Sequence, residues 1–333
     1  MSPDSAVDEQ YLRRALEAAT HAPSIHNTQP WRFRLSGGGD HGTVELYADR
    51  ERSLSVLDPT GRQMLMSCGA ALLFLKVALR ADGFDADVDL LPDADRDHLG
   101  SVAVRRGAPP SPEESALAAA IFQRHTQRAP FDPREVAAEL IDELREAAEA
   151  EGAWVSVLHR RDDQLALITV LARADHEEAM DAAYRDELRA WVRTDPSPDG
   201  IPVAVLPGHG ERHTEVTIRD FNPDRVAEEA DEAPAGPPVD EHPALVVLGT
   251  DGDDGREHLV AGMALGRLLL QAAAGGLTAS MLGQVIDRPR PRAWLKRELG
   301  LLGEPQMVLR VGYPGGPVGA ATGRRPIDEV LLP

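Results

Sequence analysis

The length, composition and charge of the chain exclude several broad classes of protein. Its 333 residues suffice for a large core and two structural units. With 42% hydrophobic and 27% charged residues, it has the composition of a folded globular protein rather than a disordered one. The net charge of −20 opposes binding to nucleic acid or to anionic lipid. The single cysteine, Cys68, excludes an intramolecular disulfide and disfavours a cysteine-based zinc cluster. The sequence begins with no leader-like segment and holds no apolar run of membrane-spanning length, so we expect a cytoplasmic protein with no membrane partner.

Helical and extended patterns alternate in the first part of the chain. Helical spacing of apolar residues and Pro23 predict a first helix that ends at Ala22. The sequence GGGDHG predicts a hairpin-like loop between two strands, and Gly83 predicts the stop of a long apolar helix. The predicted elements are helices over 8–22 and 62–81 and strands over 31–35, 43–48 and 102–106.

A second series of elements follows the proline-rich sequence APPSPEE, residues 108–114, which we interpret as a linker. The predicted elements are helices over 115–125, 134–150, 162–192 and 257–274 and strands over 154–158, 244–250 and 307–314. Residues 208–243 are rich in proline and acidic residues and interrupt this order. Their composition fits an excursion from the core or a disordered surface loop.

An internal repeat predicts the architecture. The sequence GAALLFLKVALRADGF aligns without a gap on GMALGRLLLQAAAGGL, which places Gly69 on Gly262 and Gly83 on Gly276. A strand pattern follows each copy. We therefore predict a duplicated α+β unit, with residues 1–114 as the first half and 115–333 as the second.

Three polar segments could carry chemistry. The sequence HAPSIHNTQPWRF, residues 21–33, sets Ser24, Asn27 and Gln29 between two prolines, which is more than a turn requires. In RHTQR, residues 124–128, alternate side chains would share one face of an extended segment. Two arginines beside a hydroxyl suit a phosphate, although a solvated charge run would have the same composition. The sequence GRRP, residues 323–326, adds two more arginines.

Taken together, these segments resemble the nitroreductase family of flavin mononucleotide (FMN) proteins, and in particular its duplicated, single-chain Acg-like branch. PSIHNTQPW matches a P-S-x-x-N-x-Q-P-W pattern, RHTQR matches R-x-S-x-R with threonine for serine, and GGLTASMLG resembles a helix-to-strand passage under the flavin ring. The resemblance implies a nitroreductase-like fold whose halves form a pseudo-dimer. The residues it implies for FMN binding are Pro23, Ser24, Ile25, Asn27, Gln29, Arg124, His125, Thr126, Arg128, Leu282, Gly283 and Arg324.

The resemblance also implies a function. Because each motif occurs in one half only, we expect one FMN site, completed across the pseudo-dimer interface, in a monomeric protein. The flavin would carry hydride between NAD(P)H and a small-molecule oxidant of the nitro or quinone type, so no catalytic side chain is expected. The branch is associated with a lid, which residues 208–243 could supply. A mobile lid would preserve a reductase, whereas a closed one would make an FMN storage protein.

Other patterns are weaker. His209 and His213 have the spacing of zinc ligands on a helix, but no third ligand is evident and we expect no metal site. DGDDG, residues 251–255, begins like a calcium loop but has Gly262 where a glutamate is needed. No hydrolase or nucleotide-binding signature follows a strand. Cys68 is expected in the core, and His21 and His26 could either approach a flavin or serve as surface donors.

Overall fold

The computed structural model of the protein describes residues 8–38, 41–206, 214–216, 218–219, 221–224, 239–316 and 322–333. Within these ranges the chain forms two four-stranded antiparallel sheets, one two-stranded parallel sheet and ten α-helices. The α+β class predicted from the sequence is confirmed. The histidines at 209 and 213 lie outside the described residues.

The elements follow the chain in two series. The first consists of α1 (Glu9–Thr20), β1 (Trp31–Gly38), β2 (His41–Ala48), α2 (Arg62–Ala81), β3 (Phe84–Leu90) and β4 (His98–Arg106). The second begins with α3 (Pro112–Gln123), α4 (Ala138–Glu149), β5 (Trp154–Val157), α5 (Arg161–Met180), α6 (Ala182–Trp191), β6 (Val192–Arg193) and β7 (Ile201–Pro202). It continues with β8 (Ala244–Thr250), α7 (Gly255–Ala274), β9 (Thr278–Met281), α8 (Gln284–Asp287), α9 (Pro289–Glu298), β10 (Glu304–Gly312) and α10 (Ile327–Val330).

The two large sheets have the same topology. Their strand orders are β1-β2-β4-β3 and β5-β8-β10-β9, so the first, second, fourth and third strands of each half lie side by side. In each half the first strand begins with a tryptophan, Trp31 or Trp154, and the long helix joins the second and third strands. This agreement is what a duplicated unit produces.

The repeat explains how the long helices α2 and α7 pack. A Cβ on Gly69 would lie 2.1 Å from the carbonyl oxygen of Leu259, and one on Gly262 would lie 2.0 Å from that of Met66. Gly69 corresponds to Gly262 in the repeat, and Met66 to Leu259, so the two contacts are equivalent. Only glycine allows the two backbones to approach so closely. The crossing is therefore built like a symmetric dimer interface within one chain.

The second matched pair of glycines follows the ends of the same two helices. Gly83 and Gly276 have φ values of +80° and +73°, a left-handed conformation that glycine adopts without a steric penalty. Each glycine turns the chain from its helix toward the next strand, β3 or β9. Both matched pairs thus occupy positions where the backbone requires glycine.

Helix α2 is long and apolar enough to cross a membrane by length and composition, contrary to the expectation that no run reaches that length. Its most apolar window is 72% buried inside the protein. Leu72 and Phe74 on α2 share a core cluster with Leu259 and Leu270 of α7. Its apolar character is therefore accounted for by its place between the halves.

Several predicted elements differ from those observed. Strand β3 was not predicted, since its alternating aspartates are unfavourable in strands. Helix α3 begins within the predicted linker, because Ser111 and Glu114 form a capping box around a first-turn proline. The single helix predicted over 162–192 is divided at Asp181, which has φ −86° and ψ 101° and caps α6. No element was predicted for α9.

The C-terminal segment packs on the first half of the chain. Leu331 forms a parallel bridge with Phe33 of β1, and the N–H of Leu332 donates to the carbonyl of Phe33 at 2.6 Å. Arg325 is buried and pairs with Asp49 at 3.3 Å. This crossing brings the late arginines beside the loop that follows α1.

Candidate functional site

A cavity of about 410 Å³ lies where the two halves meet. Helices α2 and α7 both contribute to its wall, together with the loop after α1 and the extended segment after α3. Residues 280–287, the excursion after α6 and the C-terminal segment complete it. Its volume lies within the range of small-molecule sites, roughly 300–1,000 Å³.

The loop after α1 has a strained and well-supported backbone. His26, Asn27 and Gln29 all have positive φ, at +48°, +54° and +49°. Left-handed backbone at non-glycine residues costs on the order of 1–3 kcal/mol each and persists where neighbours enforce it. Ser24 supplies part of that support, because its Oγ accepts from the N–H of Gln29 at 3.0 Å. The loop is thus held in one conformation at the cavity.

The two amide side chains of this loop bind distant backbone groups. Asn27 Nδ2 donates to the carbonyls of Gly200 at 3.1 Å and Gly323 at 3.2 Å. Gln29 Nε2 donates to the carbonyl of Pro198 at 2.7 Å, and Gln29 Oε1 accepts from the N–H of Arg325 at 2.8 Å. They therefore fasten the loop to residues 198–200, between β6 and β7, and to the C-terminal segment. Asn27 lines the cavity, whereas Gln29 is fully buried behind its wall.

The RHTQR segment is extended, because α3 ends at Gln123, two residues before the end of the helix predicted over 115–125. Thr126 forms an isolated parallel bridge with Ala279 of β9, and the N–H of Gln127 donates to the Ala279 carbonyl at 2.8 Å. Arg124, Thr126 and Arg128 all line the cavity. The intervening His125 and Gln127 also line it, so the expected alternation does not hold for the cavity.

The arginines from the two motifs meet at one end of the cavity. Nη2 of Arg124 and Nη2 of Arg324 both donate to the carbonyl of His21, at 3.4 and 3.3 Å. Among the described residues neither arginine has a carboxylate within 4.0 Å, and the Nε of each has no hydrogen-bond partner. This is an unusual arrangement in a chain with a net charge of −20.

The electrostatics of this arginine end follow from burial and mutual repulsion. Burial, with Arg324 and Arg128 nearby, lowers the pKa of Arg124 to about 9. Burial lowers the pKa of Arg324 to about 10. The same surroundings lower the pKa of His21 to about 4, so this imidazole is neutral at pH 7. Buried cations without counter-ions favour a bound anion.

A buried network of charges forms a second polar part of the cavity wall. Asp287 accepts from Arg62 Nη2 at 2.9 Å, Gln63 Nε2 at 2.5 Å and Arg219 Nη2 at 2.6 Å. Arg219 also donates to both oxygens of Glu178, at 2.9 and 3.1 Å. The network joins α2, α5, α8 and the excursion. Arg219, Gln63 and Asp287 line the cavity, and none of the five was identified from the sequence.

Apolar side chains cover the middle of the cavity from opposite sides. Met66 of α2, Leu265 of α7 and Met307 of β10 contribute one set. The excursion contributes Ile218 and Phe221, with Leu206 at its earlier end. A flat aromatic ligand between these sets would be enclosed by apolar atoms. Within the predicted lid-like segment 208–243, the described residues that line the cavity are Ile218, Arg219 and Phe221.

The passage after β9 differs in one respect from the prediction. Gly283 lines the cavity, but Leu282 is fully buried in the core behind it. The N–H of Leu282 donates to the carbonyl of Val308 at 2.8 Å, so it is engaged within the sheet region rather than available to a ligand. Leu282 thus lies behind the cavity wall, whereas Gly283 belongs to the wall itself. Pro23, Ser24, Ile25 and the other predicted residues apart from Gln29 line the cavity.

These features define a duplicated α+β protein with one cavity that is cationic at one end and apolar in the middle. The sequence profile of the nitroreductase family matches residues 121–313, more than half of the chain. A Mycobacterium tuberculosis protein named as an NAD(P)H nitroreductase, Rv3131, is 32% identical over 97% of this chain and 92% of its own length. The protein acg of the same organism, described in the same words, is 30% identical over 99% of this chain and 97% of its own length. The chain belongs to the nitroreductase family, as the motifs predicted.

Similarity extends to solved structures. The FMN-dependent nitroreductase NfnB from Mycobacterium smegmatis, in complex with NADPH, is 17% identical to this chain with a TM-score of 0.40. The similar region covers 64% of this chain and 96% of NfnB.

Proposed function

We propose that the protein binds one FMN in this cavity and catalyses NAD(P)H-dependent reduction of nitro or quinone-type compounds. The observation that carries the proposal is the pair formed by buried Arg124 and half-buried Arg324, which have no carboxylate partner among the described residues and share a cavity with apolar side chains. This combination suits a ligand with a phosphate at one end and a flat aromatic ring system at the other. Membership of the nitroreductase family supports the same ligand.

The arginine end fits the phosphate of FMN. Arg124, Arg128 and Arg324 would share its two negative charges, and Thr126 would add a hydroxyl. The unpartnered Nε atoms of Arg124 and Arg324 are donors that the described residues leave unsatisfied. A phosphate would satisfy them and remove the repulsion between the guanidinium groups.

The remainder of the cavity fits the isoalloxazine ring. Met66, Leu265 and Met307 offer apolar contact, and Gln63 and Arg219 offer hydrogen-bond donors that would bind the polar edge of the ring. Bound FMN would supply hydride transfer at its ring, accepting from one substrate and donating to the next. The chain's own residues would bind the phosphate, orient the ring and exclude water. Solvent can supply the protons, so we assign no side chain as acid or base.

We extend the proposal to partners and location. The relatives named as NAD(P)H nitroreductases support a nicotinamide donor. We propose that the protein is a monomer, because α2 and α7 already form a dimer-like interface within one chain. The acidic surface supports a cytoplasmic protein that binds neither nucleic acid nor membrane.

A second candidate function is storage of FMN without turnover. It is favoured by the anchoring of the excursion, because Arg219 is tied to Glu178 and Asp287 while its neighbours Ile218 and Phe221 line the cavity. Residues held in this way would cover a bound ring and keep nicotinamide from stacking on it. The two candidates differ in whether hydride can reach the flavin.

An anaerobic titration tests both candidates. The purified protein is reconstituted with FMN, and NADPH or NADH is added while the visible absorbance of the flavin is followed. Bleaching within seconds supports the reductase, and oxidation by added nitro or quinone compounds completes the cycle. Bleaching by dithionite but not by either nicotinamide supports storage. Failure of the protein to bind FMN contradicts both.

A further inference from the structure

His26 is a buried polar side chain that the fold itself leaves unsatisfied. The residue is 6% exposed and lines the cavity. Neither Nδ1 nor Nε2 has a hydrogen-bond partner among the described residues. A buried polar group without a partner is costly and rare in native structures. The imidazole therefore requires a partner from whatever occupies the cavity.

A strained backbone conformation holds the His26 side chain at the cavity. His26 has φ +48° and ψ 22°, and Asn27 beside it is also left-handed. Asn27 is fastened to Gly200 and Gly323, so the strained turn cannot relax without breaking those bonds. In the pattern P-S-x-x-N-x-Q-P-W, this position is one of those left open. The histidine is thus a feature of this chain rather than a requirement of the pattern.

The position of His26 along the cavity follows from its neighbours. The ring of His26 lies edge-on to the ring of Phe221, with centroids 5.8 Å apart. Phe221 follows Arg219 by two positions in the sequence. Arg219 in turn binds Asp287, in the buried network of charges. His21, by contrast, lies beside Arg124 and Arg324. Arg128 lies over the same Phe221 ring, 5.7 Å from its centroid, so His26 lies between Arg128 and Arg219 rather than beside Arg124 and Arg324. If the phosphate lies with Arg124 and Arg324, His26 faces the part of the cavity beyond it, where the ring would extend.

The chemical state of the imidazole is set by the same surroundings. Burial, with the positive charges of Arg219 and Arg128 nearby, lowers the pKa of His26 to about 3. At physiological pH the ring is therefore neutral, with one nitrogen as a donor and the other as an acceptor. Such a group complements the ring edge of a flavin, which offers carbonyl oxygens beside an N–H. A phosphate dianion offers acceptors only and would satisfy one of the two nitrogens.

We propose that His26 hydrogen-bonds directly to the isoalloxazine ring of FMN and is a binding and specificity determinant of this site. The inference rests on the proposed FMN site. It assigns to His26 recognition of the flavin ring, whereas the arginines recognise the phosphate.

Ring-¹⁵N histidine labelling tests the inference without altering the site. The signals of His26 are identified by their absence from the spectrum of His26→Asn, and FMN is then added to the wild-type protein. A shift of the His26 nitrogens toward hydrogen-bonded values supports the inference. Unchanged His26 signals on saturation with FMN overturn it and leave the FMN site intact.

Affinity measurements by quenching of flavin fluorescence provide a second test. We expect His26→Phe to weaken FMN binding about tenfold and to shift the visible bands of the bound flavin, since it removes both nitrogens. His26→Asn retains a donor and an acceptor and tolerates positive φ, so its affinity should stay within about threefold. His98→Phe is the matched control, because His98 is equally buried at 6% exposed but lies on β4 outside the cavity.

The outcomes distinguish a failure of the role assigned to His26 from a failure of the proposed FMN site. Equal affinity and equal spectra for wild type and His26→Phe overturn the role of His26 while FMN binding stands. Absence of FMN binding by the wild-type protein overturns the proposed function and this inference together. Should His26→Phe fail to fold, the nitrogen shifts of the wild type decide the question.

Discussion

Replacing Arg124 with glutamine should make the unliganded protein more stable and the FMN complex weaker. Arg124 is 9% exposed and has no carboxylate within 4.0 Å among the described residues. Its pKa falls from the ordinary arginine value to about 9 in the fold. Because the folded pKa lies below the unfolded value, the charged arginine destabilises the fold at every pH below about 9, and the penalty is relieved only as pH rises above that value.

The structure sets the magnitude of both effects. At about 1.4 kcal/mol per pKa unit, the shift of Arg124 corresponds to an upper bound of about 5 kcal/mol. Relaxation and water reduce such penalties, so we expect Arg124→Gln to raise the free energy of unfolding of the apoprotein by about 1–3 kcal/mol. Loss of a charge-assisted hydrogen bond to phosphate costs about 1.5–3 kcal/mol, which weakens FMN binding about 10- to 150-fold.

Urea unfolding of the apoprotein at pH 7 and FMN titration by fluorescence quenching measure the two effects. Arg310→Gln is the contrasting control, because Arg310 is also buried but pairs with Glu241 at 2.6 Å. Its replacement leaves the buried Glu241 carboxylate without a counter-charge and should destabilise the protein by about 3–5 kcal/mol. The reasoning is refuted if Arg124→Gln lowers the stability of the apoprotein and leaves the affinity for FMN unchanged.

Three further predictions follow from the same contacts. Gly262→Ala would place a Cβ 2.0 Å from the Met66 carbonyl oxygen, and it should lower the free energy of unfolding by about 3 kcal/mol or more in thermal or urea unfolding. Gly316→Ala, with open space around it, should be nearly neutral. Equal stabilities of the two variants would contradict the close crossing of α2 and α7. Since the pKa of His26 falls from 6.5 to about 3, the free energy of unfolding of the apoprotein should fall by about 1.4 kcal/mol per pH unit as pH falls below 6.5 toward 3. Urea unfolding at pH 7 and pH 5 measures this loss, and the His26 contribution should be absent from His26→Asn. Arg219→Gln breaks the tie to Glu178 and should speed release of bound FMN about tenfold or more in stopped-flow exchange; an unchanged release rate would show that this ion pair does not hold the excursion over the cavity.

The sequence determined the duplicated plan of this protein because the signals for it are local. Helical spacing defined α2 to its observed bounds, and two pairs of glycines revealed the repeat. Each glycine is required by the backbone at its own position. Gly69 and Gly262 allow the two helices to approach closely, and Gly83 and Gly276 adopt positive φ. Such requirements restrict the residue type and can be read without knowing the fold.

Residues of the site could be predicted from the sequence only where they belong to a contiguous motif. The loop after α1 and the RHTQR segment could be found, since several residues of each act together. Within the loop, however, the sequence could not separate Asn27, which lines the cavity, from Gln29, which supports it from behind. The difference depends on which way a left-handed turn directs each side chain.

The tertiary structure alone decided the second polar part of the cavity wall. Arg62, Glu178, Arg219 and Asp287 come from four distant parts of the chain, and as isolated arginines and acids they resemble ordinary surface charges. A charge becomes part of a site when folding buries it and supplies its partners, and neither event leaves a mark on the neighbouring sequence. The same holds for His26, whose lack of a partner exists only in the folded protein.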